Sequence, residues 1–131
     1  MLRKIQINKP GSYDILQLIE QDIPQVAANQ VLIEVKACGV NYADSIVRMG
    51  LYASAKELHG YPITPGFEIA GIISHVGSEV KNFKPGDEVL ALTLFGGYCS
   101  HIILSEDRVF NKPSVLSFSQ AAALPTVFLT A

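Results

Sequence analysis

The chain has 131 residues, 49% hydrophobic and 17% charged, with a formal net charge of -2, a composition that suits one compact domain with a real core. No basic run or aromatic-basic patch points to nucleic acid, and no apolar stretch reaches the ~20 residues that span a bilayer. Two cysteines, Cys38 and Cys99, are too few for a disulfide framework. With an N-terminus too broken by charge to be a secretory leader, they predict free thiols in a cytoplasmic protein.

In chain order, "LRKIQI" alternates as a strand does, and "NKPGSYD" carries Pro-Gly turn chemistry. "ILQLIEQD" and "QVLIEVKA" read as strands, the second with Val31, Ile33 and Val35 on one face and Leu32, Glu34 and Lys36 on the other. "CGVNYAD" then begins as a zinc-site loop could, with a cysteine and a glycine turn, but places Asn41 where a second ligand would follow. "NYADSIVRMG" changes to helical period. Tyr42, Ile46 and Met49 share a face, Asn41 and Asp44 form a capping pair, and Gly50 is the stop. Asp44 reads as a first-turn acid within reach of Arg48.

"LYASAKELHGYPITPG" reads as a long loop with a helical turn near Ala55. "FEIAGIISHVGSEV", "NFKPGDEVLALTL", "GGYCSHIILSED" and "RVFNKP" each supply a strand. "LSFSQAAALP" is a helix opened by Ser117 or Ser119 and interrupted at Pro125. The order predicts a mainly β fold with a few helices, a distorted barrel or a sandwich. No G-x-G-x-x-G motif is present, so a dinucleotide domain, if the protein has one, lies beyond Ala131. His59, His75 and His101 fit no ligand spacing and read as surface or edge residues, and Cys38 reads as a small buried hydrophobe.

Five motifs in order resemble a known family: "GVNYADSIVRMGLY", "PITPGFEIAGIISHVG", "KPGDEV", "GGYCSHI" and "AAALPTVFLTA". Together they resemble the N-terminal domain of the medium-chain dehydrogenase/reductase superfamily, in its zinc-independent quinone oxidoreductase (zeta-crystallin-like) branch. The resemblance implies a GroES-like distorted β-barrel over residues 1–125. Residues 126–131 would begin the connection to a Rossmann domain that binds NADPH. The apolar end, "ALPTVFLTA", is then the edge of a longer chain, and self-association through it is expected when nothing follows.

In the zinc-dependent relatives the positions matching Asn41 and Phe67 are a cysteine and a histidine ligand. An amide oxygen is a poor zinc ligand and a phenyl ring is none, so no zinc is expected. The cysteine-rich structural zinc lobe is also absent. The resemblance assigns catalysis to Tyr52 and Asn41. Tyr52 is the proton donor or oxyanion donor that a metal-free reductase needs. Asn41, otherwise a helix cap, faces the nicotinamide. Asn41, Tyr52, Thr126 and Thr130 are the expected cofactor contacts, and Glu68 reads as a buried structural carboxylate.

The implied activity is NADPH-dependent hydride transfer to a quinone or another α,β-unsaturated carbonyl by the full-length protein, the fragment alone being inactive. The implied partners are small carbonyl substrates, not nucleic acid or membrane. An enoyl-thioester reductase, or a binding protein without turnover, are the alternatives. The pocket is expected to be lined by residues 53–64.

Overall fold

The computed structural model describes residues 1–130, with side chains through residue 126. Seven strands and two α-helices make up most of the regular structure of the described residues: β1 (Leu2–Gln6), β2 (Gln17–Gln21), β3 (Gln30–Cys38), α1 (Tyr42–Arg48), β4 (Glu68–Val76), β5 (Glu88–Leu92), β6 (His101–Ser105), β7 (Val109–Asn111) and α2 (Phe118–Thr130), with short helical turns at Tyr13–Ile15, Glu106–Arg108 and, as expected near Ala55, at Ala55–His59. Five strands form an antiparallel sheet in the order β6-β3-β4-β5-β7, curled into a half-barrel. β1 and β2 form a separate antiparallel pair. Single bridges, Lys4 to Cys99 and Ile7 to Ile63, tie that pair to the loops of the barrel.

The concave side of the sheet carries the main core. Val31, Ile33, Ile69, Ile73, Val89, Ala91, Leu104 and Val109 bury their side chains together, contributed at alternate positions by neighbouring strands as the pleat requires. In β3 the expected alternation holds for Val31 and Ile33 against Glu34 and Lys36. Leu32 is buried as well, beside a register shift between Leu32 and Ile33 that breaks the two-residue period.

α1 begins and ends where its sequence codes predict. Asp44 Oδ2 accepts the Asn41 backbone N–H at 2.9 Å, and Gly50 closes the helix at φ +78°, a conformation that glycine alone adopts cheaply. Its faces are not as predicted. Tyr42 and Met49 are exposed, and the buried residues are Asp44 and Val47. Asp44 turns inward because donors meet it there: the Tyr98 hydroxyl donates to Oδ2 at 2.6 Å, beside the Asn41 amide. Arg48 does not pair with Asp44; its guanidinium donates to the Gly11 carbonyl at 2.7 Å and fixes the loop after β1.

α2 lies on the sheet through Ala121 and Ala122, which pack against Ala70 of β4 with no side chain large enough to hold the helix away. Ser117 opens it with a full capping box: Ser117 Oγ accepts from Gln120 N at 3.1 Å, and Gln120 Oε1 accepts from Ser117 N at 2.9 Å. Just before it, the Lys112 side chain is only 4% exposed. Its ammonium donates to the Leu116 carbonyl at 2.5 Å, pairs with Glu88 at 3.2 Å and lies 5.2 Å over the Phe118 ring. The helix runs through Pro125, where an interruption is expected. Proline removes its own N–H and crowds the preceding turn; the next amide, Thr126 N–H, donates to Glu68 Oε2 at 2.8 Å. The side chains of Val127, Phe128 and Leu129, expected to be adhesive, lie outside the described residues. Among the described residues no helix is long and apolar enough to cross a membrane.

Candidate active site

β4 begins at Glu68, directly after Phe67, and this corner organises the site. Glu68 is 1% exposed, and a buried carboxylate must find donors. Asn41 Nδ2 donates to Oε1 at 3.0 Å, and Thr126 N–H donates to Oε2. Residues on three elements, the start of α1, the start of β4 and the second half of α2, are thus joined through one carboxylate. Gly39 makes room for it. A Cβ at Gly39 would stand 2.0 Å from Glu68 Oε1, so the glycine of "CGVN" is a close-packing position that nothing larger can fill without moving Glu68.

Beside this corner lies a cleft of about 530 Å³, lined by Ala43, Tyr52, Phe67, Leu92, Leu94 and Thr126, with Thr93 and Arg108 at its polar side. Tyr52 and Phe67 form part of an aromatic cluster with Phe95. The ring centres of Tyr52 and Phe67 are 5.7 Å apart, those of Tyr52 and Phe95 6.3 Å, and those of Phe67 and Phe95 5.4 Å. Edge-on and tilted contacts of this kind fix a ring without using its polar end. The Tyr52 hydroxyl makes no hydrogen bond within the described residues, so it remains a donor for something in the cleft.

Of the residues expected at the site, the structure brings Tyr52 and Thr126 to the same cleft. Asn41 does not line it; its amide is held by Glu68, and Ala43, two residues on, takes a place in the wall. The side chain of Thr130 lies outside the described residues. The 53–64 loop contributes nothing to this cleft. Its residues His59, Pro62, Ile63 and Thr64 line a second cavity instead. The sequence reading missed Phe95, Thr93, Leu92, Leu94 and Arg108. Only Phe95 carried a signal, as a large aromatic before the Gly96–Gly97 pair.

Both thiols are free, as expected, but Cys38 is not where it was expected. Cys38 is exposed rather than buried, at the end of β3, and Cys99 is half-buried. Burial, above all, pushes the Cys99 thiol up to about 12, which keeps it protonated and unreactive at neutral pH. Burial and the hydrogen bond to Asp44 hold the Tyr98 phenol well above its ordinary value. Tyr98 is therefore a fixed donor to Asp44 and does not titrate near neutrality. Among the described residues, no group of three His, Cys, Asp or Glu side chains is placed to hold a metal ion.

Comparison with known proteins gives this arrangement a family. The alcohol dehydrogenase GroES-like domain matches residues 27–126. The chain is 38% identical over 133 residues to the quinone oxidoreductase of Sus scrofa, covering all of this chain and 40% of that protein. It is 37% identical over 130 residues to the synaptic vesicle membrane protein VAT-1 homolog of Danio rerio, covering 98% of this chain and 26% of that one. The chain therefore spans less than half the length of these relatives. Among solved structures, the Escherichia coli quinone oxidoreductase complexed with NADPH superposes with a TM-score of 0.89 at 37% identity, over 99% of this chain and 39% of that one. The CurK enoyl reductase gives 0.91 at 37% identity, over 98% and 40%. The half-barrel, the motifs and the profile agree, and the chain belongs to the alcohol dehydrogenase GroES-like domain family, within the medium-chain dehydrogenase/reductase superfamily.

Proposed function

We propose that the full-length protein is an NADPH-dependent, zinc-independent oxidoreductase that reduces a quinone or another α,β-unsaturated carbonyl, and that this chain supplies the substrate wall of its active site. The observation that carries the reading is the Tyr52 cleft: a mostly apolar space with one uncommitted phenol whose ring is packed against two other aromatic rings. Quinone oxidoreductases and enoyl reductases among the relatives support the reaction class, and a relative's complex with NADPH supports the cofactor. The match of metal-ligand positions to Asn41 and Phe67 supports independence from zinc, since neither side chain is a competent ligand.

The residues present fit the reactive end of the cofactor and not its phosphates. Tyr52, Phe67, Leu92 and Leu94 suit a planar ring, whereas the cleft has one permanent cation, Arg108, and no glycine-rich turn. Tyr52 and Thr126 would hold that reactive end, with Asn41 fixed behind the wall on Glu68; NADPH, when bound, supplies the hydride. The protein's own work is to exclude water with the aromatic cluster and to hold the acceptor ring flat against it. Tyr52 donates a hydrogen bond, and for an enoyl substrate a proton, to the oxygen that gains charge. Glu68 keeps Asn41 and the start of the 126–130 segment in register with that donor.

The test is oxidation of NADPH by the full-length protein, followed with a simple benzoquinone and with a short enoyl thioester. Turnover of the quinone with little of the thioester is expected. Turnover of the thioester alone would move the assignment to an enoyl reductase, and no oxidation with either would leave a binding protein without turnover.

A further inference from the structure

A second cavity of about 500 Å³ adjoins the Tyr52 cleft, and Thr93, Leu94 and Arg108 line both. Its walls come from β1, β2, the 59–64 and 93–96 loops and β6. Its charge is one-sided. Lys4, His59, His101 and Arg108 face it, together with Gln6 and Gln21, and no aspartate or glutamate lines it. That is notable in a chain with 12 acidic and 10 basic residues, where a cavity of this size would ordinarily meet both signs. Among the described residues, neither Lys4 nor Arg108 is engaged in an ion pair. Glu34, which stands opposite His101 in the β3–β6 ladder, lies outside the cavity wall and is tied to Lys36 Nζ at 2.8 Å.

The histidines are partly fixed. His59 Nδ1 lies 2.7 Å from the Gly60 carbonyl oxygen, so that nitrogen carries the proton, and the ring stands edge-on to Phe95 at 5.5 Å. His101 Nδ1 is occupied by Ser100 Oγ at 3.0 Å. In both rings it is the Nδ1 side that is taken up, and Nε2 has no partner within the described residues. Cations without counter-ions beside polar amides and imidazoles make a surface that gains from an anion. We propose that this cavity binds the anionic end, a carboxylate or a phosphate, of a substrate whose unsaturated ring or enone occupies the Tyr52 cleft. Arg108, shared by both spaces, stands at the junction, and Lys4 lines the anion end and not the Tyr52 cleft. The substrate is then an anionic quinone or enone rather than a neutral one. This rests on the reductase reading for the Tyr52 cleft.

Two measurements on the full-length protein separate the proposal from that reading. The first needs no turnover: equilibrium binding of 2-naphthoate and 2-naphthyl phosphate, each against neutral 2-naphthamide, in wild type and in Lys4→Gln. Both anions are expected to bind more tightly than the amide, and their affinity to fall with salt. Lys4→Gln should weaken them by about tenfold, the cost of one charge-assisted contact, and leave the amide unchanged. The tighter of the two anions identifies the natural group. The second is kcat/KM with NADPH for a naphthoquinone bearing a short carboxylate chain and for its methyl ester. The acid should be preferred, and the preference should shrink by a similar factor in Lys4→Gln, with the ester unaffected. Anions that bind no better than the amide, or that are insensitive to Lys4→Gln, would overturn the proposal. Anion binding without any quinone turnover would leave the cavity assigned and remove only the reductase reading.

Discussion

Tyr52 is held by its ring and left free at its oxygen, which makes it the sharpest probe of the chemistry. Tyr52→Phe retains the ring contacts with Phe67 and Phe95, so the fold and the melting temperature of the full-length protein should stay close to wild type. If the hydroxyl stabilises the developing oxyanion, kcat/KM falls by roughly 10- to 1000-fold, and more for an enoyl thioester than for a quinone, whose ring already spreads the charge. A loss confined to KM for NADPH would make Tyr52 a packing residue of the cofactor site. Cys99 carries a different prediction, in stability. Its thiol sits near an ordinary value of 9 when unfolded and about 12 when folded. The folded state holds the proton more tightly, so this contribution is fully present below pH 9 and is lost as pH rises from 9 toward 12. The slope is at most about 1.4 kcal/mol per pH unit. Tyr98, raised in the same sense, adds to the decline from about pH 10. Urea unfolding between pH 8 and 10.5 should therefore show falling midpoints, and Cys99→Ala should flatten the lower part of that fall.

Two element junctions hold the site in place. At the first, β3 passes into α1 through Gly39, over the Glu68 carboxylate. Gly39→Ala forces Glu68 to move and so disturbs its bonds to Asn41 and Thr126 at once. A destabilisation of about 1–3 kcal/mol is expected from overpacking of this kind. Reductase activity should be lost beyond what that stability change explains. Normal activity with an unchanged unfolding midpoint would mean that the corner does not organise the site. At the second junction, β7 passes into α2 through the Ser117 capping box. Ser117→Ala leaves the Gln120 amide without its acceptor, and a loss of about 0.5–2 kcal/mol is expected by chemical denaturation. The capped first turns of α2 meet the sheet through Ala121 and Ala122, beside Leu116 and Phe118, so a lost cap loosens the end of the helix that carries this packing.

At the scale of the whole molecule, the proposed function makes this chain one wall of a two-walled site. It spans about two fifths of the quinone oxidoreductases it resembles, and its cleft is suited to a ring and not to a pyrophosphate. Titration of the 131-residue chain with NADPH, followed by cofactor fluorescence, should give at best weak binding, in the millimolar range or beyond. The full-length protein should bind at least about a hundredfold more tightly if, as we propose, most of the cofactor's polar contacts lie outside these residues. Micromolar binding by the short chain would place the cofactor site within it.

The sequence by itself determined the parts of this protein that obey short-range rules. Strand positions followed from two-residue alternation and the stop of α1 from Gly50, each a matter of steric preference; the start of α2 was narrowed to Ser117 or Ser119, and the Ser117–Gln120 capping box in the structure selects the first. The order of five motifs placed the family for the same reason, since turn glycines and strand lengths are written locally. The apolar residues around Glu68 marked it as buried, but its partners, and the inward turn of Asp44, were decided by the tertiary structure alone. Asp44 has the look of a surface acid until Tyr98, 54 residues away in the chain, donates to it. Glu68 joins Asn41 and Thr126 across separations of 27 and 58 residues, and that bond accompanies a helix that continues past Pro125. Lys4, His59, His101 and Arg108 meet in one cavity though nothing in their spacing connects them. A buried charge takes its partners from whatever the sheet brings within about 3 Å, and strand order, not sequence distance, fixes what that will be.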